Sequence, residues 1–137
     1  MSLRGGVRMK NVYTLLLIIL TYFIFWPANS CSATDVWVYH SNYDNVDVFL
    51  MDDTLTHGIN ENGRYFQITV KEVRNGQLLR TVMWEYEKLK YESDPWRYET
   101  STMTHDHTCA VIAPDHLFEY CMNWLGWGYT IREHWYI

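Results

Sequence analysis

The sequence predicts a single small α+β domain: an antiparallel sheet of about six strands packed against one C-terminal helix. Three observations predict it. Between Val36 and Ile112 apolar and polar residues mostly alternate, with Trp, Tyr, Val and Thr prominent, which is the period of half-buried strands. Asn75-Gly76 divides two of the alternating runs, the strongest short-range signal for a hairpin. From Asp115 to Leu125 the apolar period changes to that of a helix.

Val36 to His40 (VWVYH) is the first expected strand and Val46 to Met51 (VDVFLM) the second, joined by a turn at Tyr43-Asp44-Asn45. The polar stretch DDTLTHGINENG that follows has the composition of a loop or a short edge piece. Tyr65 to Arg74 and Gln77 to Glu87 form the hairpin around Asn75-Gly76, because both turn residues accept the positive φ of a type I′ turn. A two-residue loop sets Val73 opposite Leu78, Ile68 opposite Met83 and Gln67 opposite Trp84. It also sets Lys71 opposite Arg80, a like-charge pair that belongs on a wet face. After the turn at Ser93-Asp94-Pro95 come a fifth strand around Trp96 to Glu99 and a sixth within Met103 to Ile112. In the helix, Leu117, Cys121, Trp124 and Leu125 share one face. Pro114 suits its first turn, Asp115 and Glu119 its positive end, and Gly126 its C′ position. Tyr129 to Ile137 has room for a short last strand.

Ahead of this domain, residues 1–33 read as a signal peptide. Arg4, Arg8 and Lys10 precede an apolar run from Val12 to Trp26, and small residues follow Pro27. The run is short for a membrane span, which needs about 20 residues. Cleavage is expected after Ser30 or after Ala33. The first leaves Cys31 at the new N-terminus, where lipidation is an alternative, although Ala28 and Asn29 fit a lipobox poorly. The expected product is residues 34–137, an exported domain found in the periplasm, at the cell surface or outside the cell. It carries eight basic residues against 16 acidic ones, a net charge of −8. Such a surface repels nucleic acid and anionic membrane, so neither is an expected partner, and no membrane span remains after processing.

Two readings compete for THDHTC, residues 104–109. On an extended strand His105, His107 and Cys109 point to one face, with neighbours about 7 Å apart, within reach of a shared zinc ion. A closed zinc site needs four ligands, and no ligand spacing of a known kind completes the set. In an oxidising compartment a disulfide is the stronger reading. Cys121 lies on the apolar stripe of the helix, 12 positions after Cys109, and a bridge closing that loop contributes about 3 kcal/mol. No metal or other cofactor is expected, and His105 with His107 is only the least favoured alternative. Asp52-Asp53 reads as a strand end, and no nucleophile elbow or phosphate loop is present, so no catalytic residue is assigned.

The aromatic residues carry the remaining functional signal. Trp37 and Tyr39 alternate with Val36 and Val38, and Trp127, Tyr129, Trp135 and Tyr136 crowd the C-terminus. Trp37, Tyr39, Trp127 and Trp135 are therefore the candidate stacking residues for a glycan or a protein ligand. The competing use of the same residues is core, with the second sheet face covered by a loop or by a second copy in a homodimer.

The succession DVWVYHSNYDNVDVFLMDDTL, YFQITVKEVRNGQLLRTVMWEYE, WRYET and a late helix, all behind a leader, resembles small exported bacterial proteins that include the surface-adhesin protein E family. The similarity spans most of the chain after the leader as a pattern of strands and contains no diagnostic motif. It implies an antiparallel sheet with a helix against it and adhesion to host matrix proteins, and it transfers no binding residue. The expected function is thus a non-enzymatic binding module of the cell envelope or medium. A self-associating structural protein is the alternative, and a metal-dependent enzyme the least favoured.

Overall fold

The strands follow one another across a single sheet in the order β1-β2-β3-β4-β5-β6, each antiparallel to the last. They are β1 (Asp35–Ser41), β2 (Val46–Ile59), β3 (Gly63–Arg74), β4 (Gln77–Leu89), β5 (Arg97–Thr100) and β6 (Cys109–Ala110). Helix α1 (His116–Leu125) and a small hairpin of β7 (Ile131–Arg132) and β8 (Trp135–Tyr136) complete the domain. This computed structural model describes residues 35–104 and 107–137. The leader with Cys31, its cleavage sites and His105 lie outside those residues. Among the described residues no helix is long and apolar enough to cross a membrane.

The α+β class, the six-stranded antiparallel sheet and the C-terminal helix match the expectation. Three details differ. DDTLTHGI is not a loop: β2 continues through it to Ile59. A break in register between Met51 and Thr56 absorbs the irregularity. There the Thr54 hydroxyl donates to the Met51 carbonyl at 2.7 Å and accepts from the Thr69 amide at 2.9 Å, standing in for a ladder bond. A polar side chain thus completes a strand that its composition disguises.

The second difference is register. Val73 faces Leu78 as expected, but a bulge follows, and from there Glu72 faces Arg80, Lys71 faces Thr81, and Ile68 faces Trp84 rather than Met83. Gln67 pairs with Glu85 instead of Trp84. The one-residue shift puts Val82 and Tyr86 on the helix side and leaves Met83 on the solvent side. It also replaces the like-charge pair by an ion pair, Arg80 Nε to Glu72 Oε2 at 2.6 Å. The turn itself is as expected, with φ of 51° at Asn75 and 75° at Gly76. Gly76→Val is expected to cost about 1 kcal/mol or more in a urea titration. The space around Gly76 is open, so the cost arises from the backbone alone.

Third, the C-terminal segment is a two-stranded hairpin turning at Glu133, whose φ is 59°.

The helix is delimited at both ends by its sequence. Asp115 is the N-cap, its carboxylate accepting from the Phe118 amide at 2.9 Å. Gly126, at φ 67°, closes the other end. Its amide donates to Asn123 and the Trp127 amide donates to Met122, the paired bonds of a Schellman motif. Leu117, Phe118, Cys121 and Met122 are buried against Val46, Val48, Leu50, Phe66, Ile68, Val70, Val82 and Tyr86 of the sheet. Trp124, expected on the buried stripe, is exposed. Trp96 and Tyr136 fill the far end of this core, where the Trp96 amide donates to the Tyr136 carbonyl and Val111 donates to the Trp96 carbonyl, both at 2.8 Å.

Both described cysteines are free thiols, so the expected Cys109–Cys121 bridge is not formed. The topology explains it. β6 forms one edge of the sheet, whereas α1 crosses back to pack along β1, the opposite edge. Cys121 is buried under the helix beside Tyr86, and Cys109 faces the Tyr98 hydroxyl. Burial pushes the Cys121 thiol up to about 12, so at pH 8 it holds its proton. Native protein is expected to alkylate at Cys109 well before Cys121, and reductant is expected to leave the melting temperature unchanged. Peptide mapping after brief labelling checks the first and a thermal scan the second.

A candidate binding groove between strand β1 and helix α1

Where α1 lies along β1, the surface is hollowed. The outer hollow, about 510 Å³, is lined by Trp37 and Val38 from β1, by His116, Glu119, Tyr120 and Asn123 from α1, and by Trp127 and Tyr129 from the segment after it. The helical contributors fall at i, i+3, i+4 and i+7, so they form one face, turned away from the core stripe. Trp37, 55% exposed, borders the hollow at the strand edge, but opposite Phe49 its ring turns to the sheet face away from the helix, where the indole N–H donates to Asp47 at 3.1 Å. His40 shares the same carboxylate at 3.0 Å. These two bonds hold the Asp47 carboxyl below its ordinary range. Trp127 is placed by the Schellman turn and sits under Arg64, whose guanidinium lies 5.2 Å above its ring. His57 meets it edge-on at 5.6 Å and Trp96 stacks on it at 6.3 Å.

A smaller inner hollow of about 270 Å³ adjoins it, lined by Tyr39, Trp84, Ile112, Pro114, Asp115 and His116. His116 belongs to both, and its ring lies 6.4 Å from that of Tyr39. Tyr39 and Trp84 in turn belong to a third hollow of about 350 Å³ over the part of the sheet that α1 leaves open, with Glu72, Arg80 and Tyr98 among its walls. Neighbouring hollows thus share lining residues, His116 between the first two and Tyr39 with Trp84 between the last two.

The electrostatics of the groove follow from burial. Asp115 is pushed up from the ordinary carboxylate range by burial, against the pull of the Phe118 and Leu117 amides. Tyr39 is raised by burial and by the nearby Asp115 charge. Behind the groove, the Tyr136 hydroxyl donates to Glu119 at 2.5 Å and accepts from the Asp115 amide at 2.9 Å. It is raised by its burial first and its bond to Glu119 second. Among the described residues, Trp84 Nε1 and the Tyr86 hydroxyl are shielded from solvent and meet no hydrogen-bond partner.

Of the four aromatic residues singled out in the sequence, the structure brings Tyr39 and Trp127 to this groove, while the Trp37 ring turns to the other face of the sheet. Trp135 is elsewhere, half-buried in the terminal hairpin against His134. Sequence reasoning missed Trp84, His116, Glu119, Tyr120, Asn123 and Tyr129. The spacing of the four helical ones, complementary to the apolar stripe, was the available signal. His107 is exposed, and among the described residues no three His, Cys, Asp or Glu side chains are grouped to hold a metal.

Comparison with protein-family models, with curated proteins and with solved structures finds no match to this chain.

Proposed function

We propose that this chain is an exported, non-enzymatic binding module that recognises an oligosaccharide in the groove between β1 and α1. The observation that carries the reading is the outer hollow, whose lining sets Tyr120, Trp127 and Tyr129 beside Glu119, Asn123 and His116. Sugars present apolar C–H faces rimmed by hydroxyl groups, and such a wall offers each its match: ring faces for the first, a carboxylate, an amide and an imidazole for the second. Protein-binding patches instead concentrate aromatic residues in a core depleted of charge. Neither the outer nor the inner hollow has Lys or Arg in its lining, and the domain is acidic, which favours a neutral glycan over an anionic one.

The two acids of the groove are committed to structure. Asp115 caps the helix and Glu119 receives the Tyr136 hydroxyl, which supports recognition over hydrolysis. A glycan array followed by calorimetry tests the proposal. Tyr120→Ala, on the helix face that lines the hollow, is expected to weaken binding about tenfold or more in a protein that still melts cooperatively. Absence of any glycan binder, or full affinity in Tyr120→Ala, contradicts it.

Self-association is the competing reading, because β1 is an edge strand and Leu78, Leu79 and Met83 are exposed on β4. The bulge between Trp37 and Tyr39 breaks the regular edge that strand addition requires. A sedimentation series separates the two: a mass that doubles with concentration favours association.

A further inference from the structure

The chain contains two Asn-Gly pairs, Asn62-Gly63 and Asn75-Gly76, and both asparagines are exposed. In such a pair the main-chain nitrogen that follows the asparagine can attack its side chain, because glycine presents no Cβ to obstruct the approach. Exposure does not separate the two pairs, but their backbones do.

The attack closes a five-membered ring. The Gly nitrogen must eclipse the Asn Cβ, which for an L residue requires ψ of about −120°, the value at the first central residue of a type II′ turn, where φ is positive. Asn75 already has φ of 51°. Its two-residue loop is closed by the Arg74–Gln77 pair, so the Gly76 amide is not part of the ladder. Type I′ and type II′ turns serve the same loop and differ by a flip of the central peptide plane. Gly76, at φ 75°, accepts the negative φ that the flip demands, and a Cβ there would meet nothing within 4 Å. Asn75 therefore reaches the reactive geometry without the loss of a strand bond.

Asn62-Gly63 is held away from it. Asn62 has no positive φ. The amides of Asn62 and Gly63 both donate to Asn60 Oδ1 at 2.9 Å, and the Gly63 carbonyl accepts from the Asn60 amide at 2.8 Å. Gly63 also starts β3 in close approach to the Lys88 carbonyl, so turning this peptide plane breaks those bonds and strains the pairing with β4.

We infer that Asn75 is a site of spontaneous deamidation in the folded protein and that Asn62 is spared. The Gly76 nitrogen gives its proton to solvent base and bonds to Asn75 Cγ. The Cγ–Nδ2 bond breaks and that nitrogen leaves, protonated by water, as ammonia, giving a succinimide. Water then opens the ring. Breaking the bond from Cγ to the Gly76 nitrogen gives aspartate, and breaking the bond from the main-chain carbonyl carbon to that nitrogen gives isoaspartate. The isoaspartyl form lengthens the main chain by one methylene at the turn between β3 and β4 and loosens the hairpin.

Ageing the purified protein in mildly alkaline buffer, folded and in urea, tests this by peptide mapping that separates the Asn, Asp and isoaspartyl forms. In urea both asparagines are expected to convert at rates within about threefold of each other, since the fold no longer distinguishes them. In the folded protein Asn75 is expected to convert at least about tenfold faster than Asn62, which reacts only from opened states. The isoaspartyl fraction is expected to melt below Asn75→Asp, which has the same charge without the extra methylene. Equal folded rates, faster conversion of Asn62, or an Asn75 that stays intact when folded yet converts in urea overturns the assignment. An isoaspartyl fraction as stable as Asn75→Asp overturns the effect on the hairpin.

Discussion

Trp96→Ala is expected to destabilise the domain by about 3–5 kcal/mol, the range for truncating a buried Trp or Phe. Trp96 is 1% exposed and is the largest of the fully buried side chains. Its ring centroid lies 5.3 Å from Phe118, 5.8 Å from Phe66 and 6.3 Å from Trp127. It therefore joins α1, β3 and the segment that follows the helix. The backbone bonds of Trp96 to Tyr136 and Val111 survive the substitution, so the loss isolates the ring. Small domains have roughly 5–15 kcal/mol in all, and this one change removes a large share. A urea titration with unchanged slope and a lowered midpoint is the expected record. Because Trp127 stacks on Trp96, glycan affinity is expected to fall as well. A loss under about 1.5 kcal/mol would mean that the far end of the core is not packed around this ring.

Gly63→Ala carries the second large effect, about 3 kcal/mol. Gly63 starts β3 at φ 150°, where a Cβ would stand 1.8 Å from the Lys88 carbonyl oxygen, a backbone atom with no room to move. The residue is also fixed locally. Its amide donates to the Asn60 side chain at 2.9 Å, and its carbonyl accepts from the Asn60 amide at 2.8 Å. Relieving the overlap would pull β3 away from β4 at the end of their long pairing. Overpacking of this kind costs about 1–3 kcal/mol, and the rigid partner places Gly63 at the top of the range. Gly76→Ala is the internal control: it meets nothing within 4 Å. Equal midpoints for the two variants would contradict the close approach.

Local chemistry was legible in the sequence wherever one residue type decides the backbone. Asn75-Gly76 fixed its hairpin by tolerating positive φ, Asp115 capped the helix, and Gly126 ended it. What the sequence hid depends on partners far along the chain. The end of β2 reads as a loop because its residues are polar, and only the pairing of the Thr54 hydroxyl with Thr69 reveals a strand. The bulge after Leu78 leaves no mark in Leu78-Leu79, since either register places an apolar residue there. What decides it is the burial of Val82 and Tyr86 beneath a helix over 30 residues later. The cysteine pairing failed for the same reason: β6 and α1 are neighbours in sequence, but Cys109 sits on an edge strand against Tyr98 while Cys121 faces the sheet beside Tyr86. For the site, Tyr39 and Trp127 stood out as aromatic residues near a strand or helix end, whereas Trp37, read the same way, faces the other side of the sheet. Trp84 did not, because nothing local shows that its indole N–H lacks a partner.

The central claim is that ligand binds between β1 and α1. Indole resonances in an amide-type NMR spectrum report it most directly, because tryptophans lie both inside and outside the groove. On titration with the oligosaccharide that binds best on the array, the signal of Trp127 is expected to shift and saturate, while those of exposed Trp124, hairpin-bound Trp135 and Trp37 on the other sheet face stay in place. Shifts confined to Trp124 or Trp135, or no shift at millimolar sugar, would contradict the groove as the binding site.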